Sequence, residues 1–136
     1  MSEPLADVII PSHGRTQLLR EAMESVLQQS FTALQLYIVD DASPEPLQPK
    51  IDLDDQRITW LRLEKPAGPG GARNAGVALG QSPFVAFLDS DDLWDLSKLA
   101  KQMTQLQNDP SLQWVHCNEQ WQRNGKPVLQ RAEHRK

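Results

Sequence analysis

Phe84-Val85-Ala86-Phe87-Leu88-Asp89-Ser90-Asp91-Asp92 joins a continuous apolar run to three carboxylates within four residues. The apolar part reads as a strand buried on both faces. The acidic part then sits at that strand's carboxyl end, the edge of an open α/β sheet where ligands bind. Like charges this close repel unless a cation lies between them, and carboxylate oxygens suit hard divalent ions such as Mg²⁺ or Mn²⁺. The first expectation is a metal site at the rim of a parallel sheet, with Asp89, Asp91 and Asp92 as ligands. A solvated turn is the alternative.

Working outward, Val8-Ile9-Ile10 is a short apolar run stopped by Pro11, with Ser12-His13-Gly14 as its exit loop. Leu18, Leu19, Ala22, Met23, Val26 and Leu27 recur at helical spacing, with Arg20, Glu21, Glu24, Gln28 and Gln29 on the other face. Leu36 to Val39 reads as a second buried strand, ending in Asp40 and Asp41. A proline-rich loop and a third strand, Ile58 to Leu63, follow. Gly68-Pro69-Gly70-Gly71 reads as a break before a small-residue helix, Ala72 to Leu79, which Ala72, Ala75 and Gly76 let lie close on the sheet. Gly80 fits its cap. Asp95 caps a third helix carrying Leu96, Leu99, Met103 and Leu106. Leu112 to Cys117 reads as a further strand, Asn124-Gly125 as a hairpin turn, and 130–136 as a flexible tail. The order β-α-β-β-α-β-α-β is an α/β pattern with a largely parallel sheet.

The 136 residues make one domain, 1–136, on length priors, with 39% hydrophobic residues for a core. A formal net charge of -4 argues against nucleic-acid binding, which needs a cationic footprint. The lone Cys117 reads as a small core residue and fits a reducing, cytoplasmic setting. The amino terminus lacks a signal-peptide pattern and no apolar stretch is long enough to span a bilayer, which leaves peripheral membrane contact open. An incomplete sheet would expose apolar edges, so self-association into a homo-oligomer is also open.

Three strand ends carry polar groups, Ser12 and His13, Asp40 and Asp41, then the acidic run. Parallel strands converge, so these groups share one cleft, and a nucleotide fits it. Arg73 adds a cation. Each has a plainer reading: Asp40 and Asp41 as turn residues, His13 as a structural or stacking residue, Arg73 as a solvated helix residue, Trp94 as a core anchor. The glycine cluster satisfies neither phosphate-binding motif, because Arg73 stands at the third glycine of one and Val77 at the lysine of the other. A phosphoacceptor signalling domain and a dehalogenase-type phosphatase both place their acidic residues after strand one, where this chain has Pro11-Ser12-His13.

Taken together, Val8-Ile9-Ile10-Pro11-Ser12 with Arg15, Ser25 to Phe31, Leu36 to Ser43, Gly70 to Gly76, Phe87 to Trp94 and Lys98-Leu99 resemble, in order and spacing, the nucleotide-sugar-binding half of family 2 glycosyltransferases. The resemblance implies a Rossmann-like GT-A fold, a mostly parallel central sheet with flanking helices. It implies metal-dependent, inverting transfer of a sugar from a nucleotide-diphosphate donor, a UDP-sugar foremost, to a hydroxyl of a glycan or lipid-linked acceptor in cell-envelope polysaccharide synthesis. Pro11, Ser12 and His13 would line the nucleoside pocket, Asp41 would contact the base, Arg73 would help hold the nucleotide, Asp89 would approach the ribose or the metal, and Ser90 would belong to the same nucleotide-sugar site. Asp91 would bind the divalent cation, Mg or Mn, ahead of Asp89 and then Asp92.

Pro11 replaces a hydroxyl residue of some relatives, and Leu96 stands where many carry proline. Family members continue into an acceptor-binding half that supplies a catalytic aspartate in a Glu-Asp-type motif. After Trp94 the only glutamates are Glu119 and Glu133, neither beside an aspartate. The resemblance therefore implies a truncated, donor-binding portion with no catalytic base identified, and a non-catalytic nucleotide-sugar-binding fragment is the alternative.

Overall fold

The computed structural model describes residues 4–108, 122–123 and 126–130. Leu112 to Cys117, Asn124-Gly125 and 131–136 lie outside them. The elements are β1 (Ala6–Ser12), α1 (Thr16–Leu27), β2 (Leu34–Asp40), a 3₁₀ turn (Gln48–Lys50), β3 (Ile58–Arg62), α2 (Gly68–Leu79), β4 (Phe84–Phe87), α3 (Lys98–Asn108), β5 (Gln122–Arg123) and β6 (Lys126–Gln130). They form one sheet in the order β3-β2-β1-β4-β6-β5. Strands β1 to β4 and β6 run parallel, and β5 pairs antiparallel with β6. The α/β, mostly parallel architecture expected from the sequence is the one observed.

Side-chain alternation splits the core into two layers. Val8, Ile10, Leu36, Ile38, Ala86 and Leu88 pack with Leu19, Met23 and Val26 of α1 and with Leu99 and Met103 of α3. Ile9, Val39, Val85 and Phe87 pack on the opposite face with Ala72 of α2. A strand covered on both faces must be apolar throughout, which is why these strands read as unbroken hydrophobic runs. Within β1 the buried polar residues are Ser12, at its end, and Asp7, whose carboxylate accepts from Ser82 Oγ at 2.7 Å.

β1 lies between β2 and β4, and the chain steps first to one side of it and then to the other. This reversal is a topological switch point, where loops leaving neighbouring strands part and open a crevice.

Several boundaries differ from the sequence expectation. β1 runs through Pro11, which is tolerated because pairing with β4 ends at Ile9 and leaves Pro11 a partner only on β2. Leu18 is exposed while Leu19, Ala22, Met23 and Val26 are buried, so the α1 stripe is narrower. Gln29 is buried, and its amide accepts from Leu99 N–H and donates to the Ser25 and Asp95 carbonyls. Leu96 is exposed, outside the stripe of α3. Gly80 follows α2 in an extended conformation, not a left-handed cap. Gln130, expected in the tail, pairs with Phe87 as the last residue of β6.

The largest difference is the glycine cluster. Gly68-Pro69-Gly70-Gly71 is the first turn of α2, not a break before it. Pro69 suits the first helical turn, where its missing N–H costs nothing. Close packing does account for Gly76: a Cβ there would lie 2.6 Å from Ile9 Cγ2. Ile9 is fully buried and branched next to its backbone, so it cannot swing aside. Gly76→Ala is therefore expected to overpack this layer and destabilise the protein by about 1–3 kcal/mol, read as a lower urea midpoint.

Candidate functional site

The switch point opens into a cleft of about 600 Å³. Pro11, Ser12 and His13 enter it from the end of β1, Asp41 from the end of β2, Arg73 from α2, and Asp89, Ser90 and Asp91 from the end of β4. All seven residues expected at a nucleotide site thus share one cavity wall with Asp91. Asp92 is not part of that wall, but it belongs to the acidic cluster. Carboxylate oxygens of Asp89, Asp91 and Asp92 lie within 4.8 Å of one another, and all the donors are hard oxygens. The donor chemistry fits a divalent ion.

The two neighbouring acids at the end of β2 do different things. Asp40 is buried and its carboxylate accepts from Ser43 N–H at 2.9 Å, Leu47 N–H at 3.1 Å and Arg62 Nη1 at 2.8 Å. It holds the turn in which Ala42 adopts a left-handed φ of 55°, an uncommon conformation for a residue with a Cβ. Asp41 turns the other way. Its carboxylate accepts from Ala67 N–H at 2.7 Å and Gly68 N–H at 3.0 Å, where α2 begins. A negative charge on orphan amides at a helix start is stabilising. It also explains why a glycine-rich segment is helical. The Asp41 carbonyl accepts from His13 Nδ1 at 2.9 Å, which assigns the ring proton to that nitrogen. Ser43 Oγ accepts from Gly14 N–H, so the exit loops of β1 and β2 are stitched together.

On the β4 side, Arg73 Nη2 donates to Asp89 at 3.1 Å, and its guanidinium carbon lies 5.9 Å from the Phe87 ring centroid. Arg15 Nη1 donates to Asp91 at 3.3 Å. Ser12 Oγ and Arg73 Nε are buried and make no hydrogen bond to any described residue. Polar groups left so at a cleft wall are the places a polar ligand satisfies.

A family model, glycosyl transferase family 2, matches residues 7–133. The chain belongs to glycosyl transferase family 2. It is 34% identical over 107 residues to an Escherichia coli UDP-Glc:alpha-D-GlcNAc-diphosphoundecaprenol beta-1,3-glucosyltransferase, WfgD, a match covering 78% of this chain and 42% of that one. It spans about two fifths of that relative's length. Among solved structures it is similar to S. aureus TarS 1-349 in complex with UDP-GlcNAc, at TM-score 0.68 and 22% identity over 86% of this chain and 37% of that one. It is also similar to the mannosyltransferase PcManGT from Pyrobaculum calidifontis, solved with GDP-Man and Mn²⁺, at TM-score 0.68 and 19% identity over 82% of this chain and 34% of that one. At these identities the likeness is one of fold, and the fold is GT-A.

Two features of this family 2 cleft were absent from the sequence-based site. From the sequence Arg15 is only part of a matching stretch, though a cation one loop after β1 is the signal that could place it. Pro66, Gly68 and Pro69 line the same cleft beside Asp41, which became visible only once α2 was seen to start at Gly68. Trp94 is buried in the core, as expected, with its backbone N–H donating to Ser25 Oγ.

Burial by itself raises the Asp40 pKa, but the hydrogen bonds from Ser43, Leu47 and Arg62 outweigh it and hold the group below its ordinary value of 3.8. A depressed carboxyl pKa gives stability that is full above the unfolded value and is lost as pH falls through the folded one. Urea midpoints should therefore fall as pH drops below about 4. Asp40→Asn should lower stability at neutral pH by about 1–3 kcal/mol and make that acid limb shallower.

Proposed function

We propose that this chain is the donor-binding part of a metal-dependent, inverting glycosyltransferase. It would take a sugar from a nucleotide-diphosphate donor, a UDP-sugar, and pass it to a hydroxyl of a glycan or lipid-linked acceptor in cell-envelope polysaccharide synthesis. The observation that carries this reading is the cleft at the switch point, lined by the nucleoside-side groups, Arg73 and two members, Asp89 and Asp91, of a metal-competent acidic cluster. Its volume of about 600 Å³ lies in the range of small-ligand sites. The relative WfgD is named for a UDP-Glc donor and a diphosphoundecaprenol-linked acceptor, and PcManGT was solved with Mn²⁺. The first supports the choice of donor and acceptor class, the second the choice of ion.

In this reading Pro11, Ser12 and His13 line the nucleoside, and the Ser12 hydroxyl finds its partner there. Asp41 contacts the base with the lone pairs that Ala67 and Gly68 leave over. Arg73 and Ser90 hold the nucleotide, and Asp89 reaches the ribose or the ion. Asp91, with Asp89 and Asp92, would hold a Mg²⁺ or Mn²⁺. When bound, such an ion supplies Lewis-acid stabilisation of the departing diphosphate. An inverting displacement also needs a base for the acceptor proton, and no residue of the described cleft is assigned to it. Among the described residues no helix is long and apolar enough to cross a membrane. In this reading a lipid-linked acceptor is met by peripheral contact at the cytoplasmic face.

Calorimetry with UDP in the presence and absence of Mn²⁺ tests the proposal. Binding should be Mn²⁺-dependent and should weaken by about tenfold or more in Asp91→Ala, with its circular dichroism spectrum unchanged. UDP binding indifferent to Mn²⁺, or no UDP binding at all, would refute it.

A further inference from the structure

We propose that Arg15 is an exchangeable counter-ion that couples metal binding to diphosphate binding. It pairs with Asp91 when Asp91 ligates no cation, and passes to the donor's diphosphate when Asp91 does. The inference rests on the donor-site reading above.

Three observations carry it. Arg15 Nη1 reaches Asp91 Oδ2 at 3.3 Å across 76 residues of sequence, so the contact is made by the fold and not by neighbourhood in the chain. Asp91 belongs to the acidic cluster whose oxygens could surround an ion. A guanidinium on that carboxylate and a divalent ion on the same carboxylate repel each other and compete for its lone pairs. Second, the pair is easy to give up. Its side chains are 60% and 49% exposed, and pairs so placed contribute little net stability. Arg73 differs, being mostly buried against Asp89 and Phe87. Third, the backbone of Arg15 is fixed while its side chain is not. Its carbonyl accepts from Leu19 N–H at 2.9 Å as α1 begins, and its side chain makes no capping hydrogen bond. A displaced Arg15 remains in the lining of the cleft that Asp91 and Arg73 also line, and a diphosphate there offers a planar fork its best partner.

An exchange of this kind has a signature that a merely structural residue lacks. Removing Arg15 should help one ligand and hurt the other. In Arg15→Gln, Mn²⁺ alone, followed by its electron paramagnetic resonance signal, should bind about two- to fivefold tighter, because a competing charge has gone. UDP at saturating Mn²⁺, followed by calorimetry, should bind about tenfold weaker, because a charge-assisted contact is lost. Arg15→Lys keeps the charge and should return Mn²⁺ affinity to the wild-type value while recovering part of the UDP affinity. If Arg15→Gln shifts both affinities in the same direction, or neither, the exchange is wrong and the donor site stands. If the wild-type protein binds neither Mn²⁺ nor UDP, both readings fall together.

Discussion

The position of β1 between β2 and β4 is the constraint on which everything else rests. β1 is paired with β2 as far as Ser12↔Asp40 but with β4 only as far as Ile9↔Phe87. Beyond Ile9 the two strands part, with Ser12 and His13 on one side and the acidic run on the other. The gap costs no hydrogen bonds inside the sheet, because it begins where one ladder stops. A ligand edge is thus made by register alone, before any functional side chain is chosen.

That edge concentrates negative charge, and each acid is compensated differently. Asp40 is buried and held by two backbone amides and Arg62. Asp41 sits on the start of α2. Asp89 has the mostly buried Arg73, and Asp91 the open Arg15. The compensation runs from fixed to exchangeable along the rim. Buried carboxylates lose too much if a partner leaves, whereas an exposed pair can change partner at little cost. The division suits a site whose nucleoside end is rigid and whose phosphate end must admit an ion.

Much of this was legible because burial on both faces writes itself as unbroken apolar runs. Val8 to Ile10, Leu36 to Val39 and Phe84 to Leu88 gave the parallel strands, and parallel strands bring their polar ends to one edge. The resemblance then supplied roles for Pro11, Ser12, His13, Asp41, Arg73 and the acidic run, and of these all but Asp92 line one cleft. What could not be read was decided by contacts distant in sequence. Glycines and a proline argue for a break, and nothing local says that Asp41, more than twenty residues earlier, caps them into a helix. Gln29 looks like a surface residue by periodicity, and only the arrival of Asp95 and Leu99 gives its amide buried partners. Arg15 likewise had no visible role until the fold brought Asp91 to it.

The fixing of α2 ties stability to the site more closely than a loop-built pocket would. Its first turn is pinned by Asp41, and its middle is seated on the sheet where Gly76 meets Ile9. Arg73 lies between these two anchors, after Gly68 and one turn before Gly76, so its guanidinium is placed by packing and not by its own flexibility. Phe87 beneath it and Asp89 beyond it come from β4, whose register is set by the same β1 that receives Gly76. The distance from Arg73 to the acidic run is therefore a property of the α2 layer. A change that lifts α2 off Ile9 would widen the cleft at Arg73 before it unfolded the protein, because the facing layer, built on α1 and α3, does not depend on that contact.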